Sequence, residues 1–123
     1  MDTCGALTGS VLALSSLCGR TRQGFHDPQG VRQISYRYGR LMQQRFKQEY
    51  GSTCCREVQR SLHGRYFNML DPTDWEEFMR QGGHTTTCPT VVAKAAKWAA
   101  QLILANPQDL DTKAGKKKES STT

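Results

Sequence analysis

The sequence predicts an all-α protein, a small helical bundle of about four to five helices followed by a disordered basic C-terminal tail. Three observations carry this expectation. Apolar residues recur at three- and four-residue intervals rather than in alternation. Start and stop signals bracket each periodic segment. No strand-like pattern competes with these segments, and no internal repeat is visible. Residues 1–106 are expected to form one domain carrying the cysteine motifs, and residues 107–123 the tail. That leaves roughly a hundred residues to fold, enough for a modest core with little surplus stability.

The first helix is expected from about Cys4 to Cys18, capped by Asp2 or Thr3 and stopped by Gly19, with Val11, Leu12, Leu14 and Leu17 as its apolar surface. Gly5 and Gly9 share a face four residues apart, as do Ala6 and Ser10, so another backbone can come close there. Arg20 to His26 reads as a loop. Asp27-Pro28 then reads as a helix start, with Asp27 as cap and Pro28 at the first helical position. This second helix runs to Tyr50, with Gly51 as its stop and Val31, Ile34, Tyr38, Leu41 and Phe46 as its buried stripe.

Ser52 or Thr53 can cap a short third helix through Cys54, Cys55, Val58 and Leu62, ended by His63-Gly64. Thr73-Asp74-Trp75-Glu76 has capping-box form and starts a fourth, which Gly82-Gly83 closes. The last helix starts near Thr87-Cys88-Pro89 and runs to Ala105, where Asn106-Pro107 stops it. Val91, Val92, Ala95, Trp98, Leu102 and Ile103 form its apolar face. Beyond it the chain is polar, with Lys116-Lys117-Lys118 and a Ser/Thr-rich end.

The net charge of +6 is unevenly spread. Arg20 to Arg65 holds ten Lys/Arg against three acids, whereas Tyr66 to Thr112 holds three against six. A basic surface of this kind suits an acidic partner, but no nucleic-acid motif accompanies it, and a solvated helix face is the plainer reading. No segment is long and apolar enough to span a membrane. The stretch Ala6 to Cys18 is short and broken by Thr8, Gly9, Ser10, Ser15 and Ser16. Met1-Asp2-Thr3 carries an acid and no base, which is wrong for an export signal. A cytoplasmic location is expected.

The chemistry is expected to lie with the five cysteines, Cys4, Cys18, Cys54, Cys55 and Cys88. An odd count fits reduced, reactive or ligating thiols better than a closed set of structural disulfides. Cys4, the Cys54-Cys55 pair and Cys88 all sit at expected helix starts. Unsatisfied N–H groups and the helix dipole there would lower the thiol pKa. The alternative is that these are small buried hydrophobes. Cys18 lies among leucines and, along a straight helix, roughly 21 Å from Cys4, so it reads as core. Cys54 and Cys55 would point about 100° apart on a helix, so one is expected to serve the site and the other to be a neighbour or resolving thiol.

Cys4-Gly5-Ala6-Leu7-Thr8-Gly9, then Tyr50-Gly51-Ser52-Thr53-Cys54-Cys55-Arg56-Glu57, then Cys88 ahead of Val91-Val92 and an alanine-rich helix, resemble the C-GCAxxG-C-C family of redox-active proteins. The likeness covers about residues 2–105. It matches Cys4, Cys55 and Cys88 to family cysteines, while Cys54 falls on a variable position and Cys18 has no counterpart. It implies redox activity at those three thiols. It also implies a site for an iron–sulfur cluster, for which Cys54 or another chain would complete the four thiolates usually needed. The family pattern opens with a further cysteine on a preceding helix, which has no counterpart ahead of Cys4. The implied explanations are a shortened member, a start further upstream, or a second subunit that supplies the missing part.

His26, His63 and His84 fall in expected loops, where a histidine is usually solvated, and only His84 with Cys88 has metal-ligand spacing. Asp74, Glu76 and Glu77 read as a helix start rather than an acid/base pair. Three functions follow. The first is thiol–disulfide exchange or electron transfer through Cys4, Cys55 and Cys88, with an unidentified redox partner and a homodimer among the arrangements. The second is an iron–sulfur or other metal centre held by Cys4, Cys54, Cys55 and Cys88. The third is a non-enzymatic helical module whose Arg32–Lys47 segment binds an acidic partner.

Overall fold

The computed structural model describes residues 2–110. They form five α-helices: α1 (Gly5–Cys18), α2 (Arg32–Tyr50), α3 (Cys55–His63), α4 (Pro72–Arg80) and α5 (Cys88–Ala105). A π-helical turn, Gly83–Thr87, leads directly into α5, and a 3-10 turn, Pro107–Asp109, follows it. The all-α expectation holds, with one isolated antiparallel bridge, Thr3 to Cys54, as the extended pairing among the described residues. None of the helices among those residues is long and apolar enough to cross a membrane.

The main core lies where α1 packs on both α2 and α5. Leu7, Leu14 and Cys18 from α1 meet Tyr38, Met42, Phe46 and Tyr50 from α2 and Val91, Ala95 and Ala99 from α5, with Val58 of α3 completing the cluster. Cys18 is fully buried, as expected for a packing residue. The face of α1 is rotated from the expected one: Leu12 is 66% and Leu17 45% exposed, while Leu7 and Ser10 turn inward. Val92 of α5 is likewise 54% exposed. On α2 the buried stripe gains Met42 and Tyr50, and Ile34 and Leu41 pack against its edge.

A second cluster sits beneath α3, α4 and the π turn. Phe67 and Phe78 are fully buried with ring centroids 5.5 Å apart, and the His63 ring packs against both. Gly83 closes this cluster, because a Cβ there would stand 2.3 Å from the Phe78 ring. The Gly82-Gly83 pair was expected only as a helix stop. It also lets the chain pass over Phe78 and continue into α5.

Three helix starts differ from expectation. Asp27-Pro28 does not begin α2. Asp27 itself has φ 52°, and its carboxylate reaches forward to accept the N–H groups of Val31 and Arg32 at 2.7 and 3.0 Å, so the cap acts four residues later. These bonds, led by Arg32 N–H, hold the Asp27 pKa below its ordinary value. α3 is capped by neither Ser52 nor Thr53 but begins after Cys54, whose own N–H is taken by Ser52 Oγ at 3.1 Å. α4 starts at Pro72, two residues early, because Asp71 rather than Thr73 is the cap and accepts Asp74 N–H at 3.0 Å. Gly51 and Gly64 end α2 and α3 in the left-handed region, as expected.

The expected boundary at residue 106 is also corrected. Asp109 is buried and accepts hydrogen bonds from the Tyr38 hydroxyl and the Arg37 guanidinium. Leu110 packs against the core. Burial, with the Asp109 carboxylate as partner, pushes the Tyr38 phenol up to about 12. The folded body therefore extends through Leu110, and the tail expected over residues 111–123 lies outside the described residues. Arg32 and Arg37, from the segment expected to meet an acidic partner, are engaged by Asp27 and Asp109 of the same chain.

Gly83→Ala should cost about 1–3 kcal/mol, because the fully buried Phe78 ring has nowhere to move. Gly9→Ala, where a Cβ meets nothing within 4 Å, should be neutral or gain roughly 0.5–1 kcal/mol from the higher helix propensity of alanine. Urea denaturation midpoints of the two variants should shift in these opposite senses.

Candidate functional site

Two backbone hydrogen bonds fasten the start of α1 to the start of α3. Cys4 N–H donates to Thr53 O at 2.9 Å, and Cys55 N–H donates to Asp2 O. Cys4 is thereby the N-cap of α1 and Cys55 the first residue of α3, side by side. The third wall is α5, whose first residue is Cys88. The result is a cavity of about 300 Å³ lined by Cys4, Cys55 and Cys88 together with Gly5, Ala6, Val58, Gln59, Leu62, His63, Val91 and Val92.

Cys4, Cys55 and Cys88 are half-buried and present as thiols. The structure thus gathers the three cysteines singled out in the sequence around one space. Cys54 is the N-cap of α3 and is not among the lining residues, and Cys18 lies in the main core. None of Asp74, Glu76 and Glu77 lines the cavity. Asp74 instead binds Arg65 and Asn68 N–H, and Glu77 binds Arg80.

The expected lowering of thiol pKa at helix starts does not hold for Cys55 or Cys88. Burial pushes the Cys55 thiol up, the nearby Cys4 and Cys54 add to this, and a hydrogen bond from Gln59 partly opposes it. Burial also pushes Cys88 up, followed by the influence of Cys55 and then Cys4. The physical reason is visible in the backbone. Cys88 is not at a free helix end, because the π turn precedes it and its N–H is already donated to Gly83 O. Cys55 N–H is spent on Asp2 O. With those N–H groups satisfied, an apolar wall outweighs the helix dipole.

Two lining residues carry polar groups, Gln59, which the sequence does not single out, and His63, which it places in a loop. Gln59 is only 4% exposed. Its Oε1 accepts Phe67 N–H at 3.0 Å, which fixes the amide, and its Nε2 donates to Cys55 Sγ at 3.7 Å. His63 was expected to be solvated in a loop. It is the last residue of α3, and its Nε2 lies 3.0 Å from Thr87 Oγ1, next to Cys88. Both follow Cys55 at intervals of four, so one face of a helix carries Cys55, Gln59 and His63. That spacing was the available signal. His84 packs on Trp75 and Phe78, while His26 is exposed.

The resemblance also implied a cluster, and the arrangement can be tested for it. Among the described residues, no three histidine, cysteine or carboxylate side chains stand together closely enough to hold a metal ion. The thiols share a cavity but do not form a ligand set, so they do not fit a cluster or a mononuclear centre in this arrangement.

The model of the family described as "Putative redox-active protein (C_GCAxxG_C_C)" matches residues 1–102. The chain belongs to this family. No curated protein matches the chain, and no solved structure does. The matched residues include Cys4, Cys55 and Cys88, which line the cavity.

Alkylation of reduced protein, followed by peptide mass spectrometry, should give Cys55 and Cys88 pH midpoints above that of free cysteine. A midpoint below it for either residue would contradict the burial argument. The sign for stability follows. Because these thiols have higher pKa values folded than unfolded, their contribution is fully present below the ordinary thiol value and fades as pH rises through the folded values. Between about pH 8 and 10, Tm should therefore fall more for the native chain than for the Cys55→Ser/Cys88→Ser double variant.

Proposed function

We propose that this chain is a thiol–disulfide redox protein whose working groups are Cys4, Cys55 and Cys88. The observation that carries the reading is the convergence of these three thiols, from three different helices, on one largely apolar cavity. Exchange needs only two thiols within reach of each other and of a partner's disulfide. One cavity thiolate attacks a sulfur of the partner disulfide, forming a mixed disulfide and releasing the other partner sulfur as a thiolate that takes up a proton. A second cavity thiol then attacks the mixed disulfide, closing a disulfide within the chain and releasing the remaining partner sulfur as a thiol. Two protein thiols are oxidised and one partner disulfide is reduced to two thiols.

Burial raises the Cys55 and Cys88 pKa values, so at neutral pH these two sulfurs are held mostly as thiols and are slow toward adventitious oxidants. The cluster reading uses the same cysteines, but it requires a closer ligand set than the cavity provides. No step is assigned to it.

Equilibration with oxidised glutathione should remove about two thiols per chain and speed migration on a non-reducing gel. Cys55→Ser or Cys88→Ser should abolish the shift, and Cys18→Ser should retain it. A thiol count unchanged by oxidant would overturn the reading.

A further inference from the structure

The three cavity thiols are not equivalent in their polar surroundings. Gln59 is buried to 4% exposure and cannot choose its orientation. Its carbonyl oxygen is held by Phe67 N–H at 3.0 Å, so its amide NH₂ is the end presented to Cys55 Sγ, at 3.7 Å. Phe67 is itself fixed, fully buried against Phe78 and the His63 ring. The donor is thus held in place by the aromatic cluster before any reaction begins. Among the described residues, no hydrogen bond of this kind reaches the sulfur of Cys4 or Cys88.

A neutral thiol is a weak acceptor, whereas a thiolate is a charged one. An N–H donor aimed at sulfur therefore stabilises the thiolate far more than the thiol. In a largely apolar cavity that difference is enlarged, since the local dielectric is lower than in water. The amide makes little of its possible contribution in the resting thiol and more of it as charge develops, which is the requirement for assisting an attacking or departing sulfur.

We propose that Gln59 is the positioning residue that makes Cys55 the attacking thiol of the site, with Cys88 as the thiol that resolves the mixed disulfide. This assignment rests on the thiol–disulfide reading and gives it a direction. Cys55, as the thiolate held by the Gln59 amide, attacks one sulfur of the partner disulfide, and the other partner sulfur leaves and takes up the proton that Cys55 lost. Cys88 then attacks Cys55 Sγ in the mixed disulfide. The Cys55–Cys88 disulfide forms, the second partner sulfur leaves, and that sulfur takes the Cys88 proton. Cys55 shares the cavity with Cys4, Cys88, Gln59 and His63 and has Cys54 beside it; the positive charge of the chain's N-terminal amine also favours its thiolate, and the Gln59 amide is the side-chain donor that reaches its sulfur.

The test is the rate of iodoacetamide alkylation at each cysteine of reduced full-length protein, measured across pH, with tandem mass spectrometry separating Cys55 from Cys54. In the native chain, Cys55 should react faster than Cys88 near neutral pH. Gln59→Met keeps the volume and removes the amide. It should slow Cys55 by about 3- to 10-fold, raise its pH midpoint and leave Cys88 unchanged. Gln59→Glu keeps an acceptor for Phe67 N–H, and with its fold checked by circular dichroism it should slow Cys55 at least as much, because a carboxylate there opposes the thiolate. Equal slowing at Cys55 and Cys88, an unchanged Cys55, or a Cys88 that reacts first would overturn the assignment. Because alkylation needs no disulfide, it reads the role of Gln59 independently of whether oxidant closes a bond. Failure of the redox reading would show separately, as an unchanged thiol count after oxidation.

Discussion

Two backbone hydrogen bonds, Cys4 N–H to Thr53 O and Cys55 N–H to Asp2 O, govern the rest of the site. Each uses an N–H group at a helix start, which would otherwise be left without an intrahelical partner. Together they place the first turn of α1 against the first turn of α3. α3 has nine residues, too few to be stable as an isolated helix. It is held at one end by this bridge and at the other by the aromatic cluster around His63, Phe67 and Phe78. The same bridge bears on the Cys55 thiol: its N–H faces the Asp2 backbone oxygen, and burial dominates.

The aromatic cluster is the second constraint. Phe78 can lie beneath the chain only because residue 83 has no side chain. That passage allows the π turn to deliver Cys88 to the cavity and to set Thr87 against His63. Phe67 fixes the Gln59 amide through its N–H. Elements that look like packing are therefore what orients the polar groups around the sulfurs.

Much of the fold was legible from the sequence, because helices announce themselves through period and punctuation. Gly51, Gly64 and Asn106 end helices where expected, and Cys18 fills the core. The errors share a cause. Apolar patterning identifies candidate faces, but tertiary packing decides which of two overlapping faces is covered, so Leu12, Leu17 and Val92 lie outside while Leu7 turns in. Asp27 was read as a local cap, whereas its positive φ throws the carboxylate four residues forward. Polar composition after Asn106 suggested tail, yet a single buried pairing of Asp109 with Tyr38 and Arg37 extends the folded body to residue 110. Of the site, the cysteines were legible as residue types and positions. Their meeting was not, because it depends on a bridge between segments some fifty residues apart. Gln59 and His63 carried only the weak signal of four-residue spacing from Cys55.

The central claim is that the folded chain holds Cys4, Cys55 and Cys88 around one cavity. Treating the reduced, folded protein with about one equivalent of a short bis-electrophile, then mapping bridged peptides by mass spectrometry, tests it most directly. The structure predicts bridges that join the Cys55 peptide to the Cys88 or Cys4 peptide and that vanish when the protein is unfolded before treatment. Bridges confined to Cys54–Cys55, or single adducts alone, would contradict it.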